Sequence, residues 1–271
     1  MSASGVAEFA GVGRRVPDAV GDEREVRWIK RERETLVWSE WDARRGFRIV
    51  VKLYRRRGLF AYARMLIGRF RAEREYLVLK HLEANAVPCT PPLGWSHGYC
   101  AGHGFHEALV TRELVGMRNL EDWWEDPARN GAPPPDLSAL HGILRRMHAC
   151  GVYHGVLKLS NVLIGAEAAQ EPAFSLLDMD MARVFPRDLY GTWVGRLDLR
   201  EMCSYQRKRF GDAALRNWLP SYGLGADEIE PFLEKLAIYT RFSRQRRRYY
   251  RVFVHMAARA PALAGLARRS A

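Results

Sequence analysis

The chain has 271 residues, 48% apolar and 27% charged, the balance of a folded globular protein rather than a disordered or fibrous one. Its net charge is +12, and only six of its 43 basic residues are lysine, so its basic surface is largely arginine, whose planar fork suits phosphate and carboxylate. No apolar run is long enough to span a membrane as a helix, the order Glu8 then Arg14-Arg15 is wrong for a secretory signal, and Cys89, Cys100, Cys150 and Cys203 lack close pairing, so reduced thiols in the cytosol are expected.

Residues 1–22, rich in Gly, Ala and Val, read as a loose arm. From Glu25 to Tyr54 the chain alternates and is rich in Val, Ile, Trp and Phe. This predicts strands near 25–31, 34–41 and 47–54, with turn residues Asp42 to Gly46 making an antiparallel meander. Helical spacing follows over 60–84, and Val87-Pro88 ends it. Further strands are expected near 93–99 and 106–112. Trp123, Trp124 and Pro127 fall in a short helix and loop, Pro133 to Pro135 stop the chain, and Asp136 is placed to cap a helix from Leu137. Leu137, Leu140, Leu144 and Met147 share one helical face, and Gly151 ends it. Two short apolar runs, Asn161–Ile164 and Phe174–Leu177, flank a polar hairpin, and 195–271 reads as helical. Strands first and helices later predict an α+β chain: an N-lobe over 23–112, with a five-stranded sheet and one helix, and a helical C-lobe over 113–271.

Four local signals carry chemistry. Lys52 lies in the apolar strand Arg48-Ile49-Val50-Val51-Lys52-Leu53-Tyr54, where an ammonium is costly unless it finds anions or snorkels at the strand end. Glu75, or alternatively Glu73, lies on the following helix and can supply one. From His148 to Ile164 a helix ends, a polar loop carries His154, Lys158 and Asn161, and an apolar strand begins. Leu176-Leu177-Asp178-Met179-Asp180 is an apolar strand ending in carboxylates.

In this order the four signals resemble the protein kinase-like fold. Tyr54-Arg55-Arg56-Arg57-Gly58-Leu59, Arg74-Glu75-Tyr76, Val87-Pro88-Cys89-Thr90-Pro91-Pro92 and Asp178-Met179-Asp180-Met181-Ala182-Arg183 are similar to one branch, the bacterial lipopolysaccharide core kinases of the Kdo kinase and heptose kinase family. Gly195-Arg196-Leu197-Asp198-Leu199-Arg200 resembles that family's next segment more loosely. The resemblance covers about residues 25–210 and implies a two-lobed kinase-like fold, ATP, Mg²⁺ and a sugar hydroxyl as acceptor. It implies that Lys52 neutralises the nucleotide phosphates and Glu75 orients Lys52. It also implies that Asn161 and Asp178 hold Mg²⁺, Lys158 screens the phosphoryl group in transfer, and the backbone from Glu113 to Val115 reads adenine. The missing glycine-rich loop between the first two strands departs from protein kinases and suits this branch.

One departure concerns the chemistry itself. The family pattern places an aspartate two residues after the loop histidine to accept the substrate proton, and here that position is Val156. A general base contributes typically about 10²–10⁴-fold, while positioning and electrostatics supply most of phosphoryl transfer. The expectations are therefore a slow lipopolysaccharide inner-core kinase, one with a displaced base (Asp180 being the candidate), or a pseudokinase serving as a nucleotide- or partner-binding module.

His97, Cys100, His103 and His106 recur every third residue, but on a strand–turn–strand that spacing does not gather ligands on one face, so a polar hairpin is favoured over zinc. Arg241, Arg244, Arg246, Arg247, Arg248 and Arg251 crowd a short stretch with Phe242, Tyr249, Tyr250 and Phe253. With an anionic lipopolysaccharide core glycan or lipid A precursor as the implied partner, this basic tail is expected to touch anionic membrane headgroups from the cytoplasmic side. No homeodomain, zinc-finger or RNA-recognition signature accompanies it, which places a nucleic-acid-binding protein below the other readings.

Overall fold

A computed structural model of the chain describes residues 26–55, 70–100, 104–126, 136–165, 174–241 and 254. The arm at 1–22, residues 60–69 of the predicted helix, Arg56, Arg57, His103, Pro127, Pro133 to Pro135, the 166–173 hairpin and the cluster beyond Arg241 lie outside these residues. The described chain forms two compact units. One comprises the sheet and its helix through Ala84, Cys89–Val115 and the short segment Asp178–Asp180; the other comprises Asn85–Pro88, Gly116–Leu177 and the chain from Met181.

In the first unit, β1 (Val26–Arg31), β2 (Thr35–Asp42), β3 (Phe47–Arg55), β4 (Pro92–Cys100) and β5 (Gly104–Arg112) form an antiparallel sheet in the order β1-β2-β3-β5-β4. The alternation in sequence becomes two faces in space. Leu36 and Trp38 of β2, Ile49, Val51 and Leu53 of β3, and Ala108 and Val110 of β5 form the core of one face. Lys52 and Tyr54 fall on the other face of β3. Helix α1 (Arg71–Ala84) buries Ala72, Glu75, Val78, Leu79 and Leu82, a single face at helical spacing. Its first turn is capped from the sheet, because the buried carboxylate of Glu107 accepts the Ala72 N–H at 2.8 Å.

The β4–β5 pairing sets Gly98 against His106 and His97 against Glu107, so the two histidines point to opposite faces of the sheet. His97 stacks on Phe70 with ring centroids 4.3 Å apart, while His106 is buried with Nδ1 3.3 Å from the Gly104 carbonyl. Each ring thus has a packing role of its own.

The second unit begins with β6 (Met117–Asn119) and α2 (Leu120–Glu125), continues through α3 (Ser138–Ala149), β7 (Val152–Tyr153), a 3₁₀ turn (Leu159–Asn161), β8 (Val162–Gly165), β9 (Phe174–Leu176) and β10 (Arg183–Val184), and ends in α4 (Trp193–Tyr222) and α5 (Ala226–Arg241). β6, β8 and β9 form one small antiparallel sheet and β7 with β10 another. The three two- and three-residue strands β6, β7 and β10 were not expected, being too short to show a period. The Asp136 carboxylate accepts the Ser138 N–H at 2.9 Å, and Leu137 rather than Asp136 takes the N-cap position. α4 breaks at Gly211, whose φ of 77° is non-helical. No described helix is long and apolar enough to cross a membrane.

α3 packs against α4. There His141 is fully buried, with Nε2 3.1 Å from Gln206 Oε1 and its ring beside Trp218. Burial pushes its pKa from the ordinary 6.5 down to about 4. Between those values the unfolded chain binds a proton that the folded chain refuses, so stability falls as pH drops through that window, by on the order of 3 kcal/mol at completion. We expect His141→Gln, neutral at every pH, to lose less stability than the parent between pH 7 and pH 4 in urea unfolding. Equal losses in the two chains would rule this out.

Candidate functional site

In the first unit the strand lysine finds its anions. Lys52 Nζ lies 3.1 Å from Glu75 Oε1 and 3.3 Å from Oε2, and it is ion-paired with Asp178 as well. Glu75 is 2% exposed and lies on the buried face of α1, which decides between it and Glu73. Burial alone would push the Lys52 pKa down; the negative charge of Glu75, followed by those of other acidic neighbours including Asp178, outweighs it and holds the ammonium charged. A partly buried ammonium between two carboxylates is a strong point charge.

Asp178 has φ of 62°, the left-handed region that a short polar residue tolerates and that recurs at functional positions. Asp180 is differently engaged. Its carboxylate is ion-paired with Arg71 and its carbonyl accepts from Arg74, both on α1. That carboxylate is thus already engaged by an arginine of α1.

Glu113 does not stand free at the strand end. Its carboxylate accepts from Arg27, Ser39 and Arg48, the last at 3.0 Å, and its N–H donates to the Arg48 carbonyl at 2.9 Å. That N–H belongs to the sheet, whereas Val115 is 80% exposed.

In the second unit the loop after α3 is organised around one acid that the sequence reading quoted without giving a role. Asp198, on α4 and 1% exposed, accepts the His154 N–H at 2.6 Å and the Gly155 N–H at 3.1 Å, and pairs with His148 Nε2 at 3.3 Å. His148 Nδ1 in turn lies 2.7 Å from the Tyr222 hydroxyl. Gly155 has φ of 84°, and a Cβ there would meet the Met181 carbonyl at 3.0 Å. Only glycine makes this turn comfortably and brings two successive N–H groups onto one carboxylate. The available signal for Asp198 was a charged residue between Leu197 and Leu199 in an apolar helical stretch, a placement that requires donors nearby.

His154 is buried and uses both ring nitrogens on backbone: Nε2 lies 3.1 Å from the Leu177 carbonyl, and Nδ1 accepts the Val156 N–H at 3.4 Å. These partners assign the proton to Nε2. Asn161 donates from Nδ2 to the Val156 carbonyl at 2.8 Å, and its own carbonyl accepts the Leu177 N–H at 3.1 Å. The loop therefore has its braces, and at its centre stands the partly buried side chain of Val156, which can accept no proton. Lys158 is partly buried, with no ion pair to another described residue.

With Nδ2 on the Val156 carbonyl, the side-chain oxygen of Asn161 is a hard donor of the kind Mg²⁺ takes in ones and twos beside substrate phosphates and water. The Asp178 carboxylate of the first unit is likewise a hard oxygen donor, so each residue by its own chemistry fits this ion. Among the described residues no group of three or more His, Cys, Asp or Glu gathers into a protein cage.

No curated relative matches the chain. A solved structure described as "WaaP in complex with acyl carrier protein" is similar at 17% identity, covering 79% of this chain and 85% of that one, with a TM-score of 0.58. Another, "Crystal structure of BubR1 kinase domain", has 12% identity and a TM-score of 0.43 over 63% of this chain and 50% of that one. The fold is protein kinase-like, with an antiparallel sheet lobe and a helical lobe. The model of the lipopolysaccharide kinase (Kdo/WaaP) family matches residues 22–215, most of the chain, and the protein belongs to that family.

Proposed function

We propose that this chain transfers the γ-phosphoryl group of ATP to a Kdo or heptose hydroxyl of the lipopolysaccharide inner core, slowly, with Val156 in place of the usual base. The observation that carries the reading is the ammonium of Lys52 held between buried Glu75 and Asp178. Lys52 would meet the nucleotide phosphates, Glu75 would keep it aimed, and Lys158 would screen the group in transfer. Asn161 and Asp178 would hold Mg²⁺, which supplies charge neutralisation on the phosphates. The backbone from Glu113 to Val115 would read adenine. The arginine excess suits an anionic, lipid-linked glycan, with the chain peripheral to the cytoplasmic face of the inner membrane. A carrier-protein partner is suggested by the complex in which the similar WaaP structure was solved.

The test is transfer of radiolabel from γ-labelled ATP to purified core oligosaccharide by the full chain. We expect low, Mg²⁺-dependent incorporation that falls at least 100-fold in Lys52→Met, an effect of the size expected when a preorganised electrostatic contact is removed. Incorporation equal in parent and variant would sink the assignment of Lys52.

Val156 favours a second reading, a pseudokinase that binds nucleotide without transfer. It predicts a measurable Kd for Mg-ATP together with no incorporation, both in the parent and after an aspartate is placed at position 156.

A further inference from the structure

We infer that Tyr54 is a positioning residue for the lysine–glutamate pair: its buried hydroxyl holds one oxygen of Glu75 so that the carboxylate keeps its other oxygen on Lys52. The functional consequence rests on the nucleotide role proposed for Lys52; the contact itself does not.

β3 alternates, so Lys52 and Tyr54 stand two residues apart on the same face of the sheet, both toward α1. Tyr54 is 2% exposed. Its hydroxyl donates to Glu75 Oε2, while Oε1 is the nearer oxygen to Lys52 at 3.1 Å. The terminal torsion of a glutamate is broad, and a carboxylate facing one ammonium can turn about it. A second donor on the second oxygen removes that freedom. Burial, then the negative charge of Glu75, pushes the phenol pKa well up, so the hydroxyl stays a donor through the working pH range.

The ring has its own part. Lys52 Nζ lies 5.1 Å from its centroid and the Arg71 guanidinium 4.4 Å, both within cation–π range. Arg71 is the residue paired with Asp180. Tyr54 thus touches the strand lysine, the helix glutamate and the arginine that anchors the Asp178–Asp180 segment. A packing role would require only the ring; the hydroxyl on Glu75 is what points to orientation of the lysine.

The experiment separates ring from hydroxyl and contact from nucleotide. Tyr54→Phe keeps the ring. The parent, Tyr54→Phe, Glu75→Ala and the double variant are titrated with Mg-ATP as full chains, and the same four are unfolded thermally without nucleotide; Glu75→Met replaces the alanine variant if that does not fold. We expect Tyr54→Phe to weaken Mg-ATP binding about fivefold, the size of one net hydrogen bond, and to add nothing in the Glu75 background. Additivity in both measurements, or a Tyr54→Phe Kd equal to the parent's, overturns the inference. If the parent binds no Mg-ATP, the nucleotide reading is what has failed. The nucleotide-free unfolding cycle then decides the contact alone, non-additive effects supporting it and additive effects rejecting it.

Discussion

Val156→Asp is expected to raise phosphate transfer by about 10²–10⁴-fold, the contribution of a positioned general base. The loop backbone needs no rebuilding for this. Asn161 already holds the Val156 carbonyl at 2.8 Å, His154 already accepts the Val156 N–H, and Asp198 already fixes the two residues before it. Aspartate is close to valine in size, and position 156 is only partly buried, so the new carboxylate can keep water. Because the change touches the acceptor proton and not the nucleotide phosphates, the effect belongs in kcat, with the Kd for Mg-ATP unchanged. Steady-state transfer to core oligosaccharide by the two chains, with nucleotide titrations beside it, is the measurement. Equal and robust activity in both would show that no base is missing. A variant that binds Mg-ATP normally and still transfers nothing would favour the pseudokinase.

Asp198→Ala is expected to lower stability by roughly 3–5 kcal/mol, since it orphans three donors at once at about 1–3 kcal/mol each, less whatever water recovers. The donors are the His154 and Gly155 N–H groups and His148 Nε2, all in a region where His148, His154 and Asp198 are almost wholly buried. Asp198→Asn should lose less, because one amide oxygen can still accept. The Tyr222 hydroxyl completes the chain on the far side of His148; its pKa is pushed up, by burial first and the Asp198 charge next, so it remains a donor. Urea unfolding of parent and both variants checks the order. A midpoint for Asp198→Ala within error of the parent would show that this carboxylate does not brace the loop.

Much of this was legible in the sequence because it is local. Alternation over 25–54 fixed three strands to within a residue or two, since period two is itself the geometry of a strand with one buried face. Helical spacing from Leu137 likewise gave α3. The order Lys52, Glu75, Asn161, Asp178 resembled a known family on residue type and spacing alone. Other features were not legible, because spacing says which face a residue occupies and nothing about what that face meets. Glu73 and Glu75 are two residues apart on one helix, and only the packing of α1 shows that Glu75 is the buried one. Glu113 gives no sign in sequence of its partners, and its carboxylate is tied to three residues of the sheet.

The sequence by itself determined the longer elements, the family resemblance and the valine at position 156, because each depends on neighbours in the chain. Tertiary structure alone decided which groups satisfy the buried charges: Asp198 beneath the loop, Tyr54 against Glu75, Glu107 at the start of α1 and Arg71 on Asp180. These partners lie between 21 and 109 positions apart in the chain. A buried charge announces in sequence that it needs a partner, and only the folded chain brings that partner within hydrogen-bond reach.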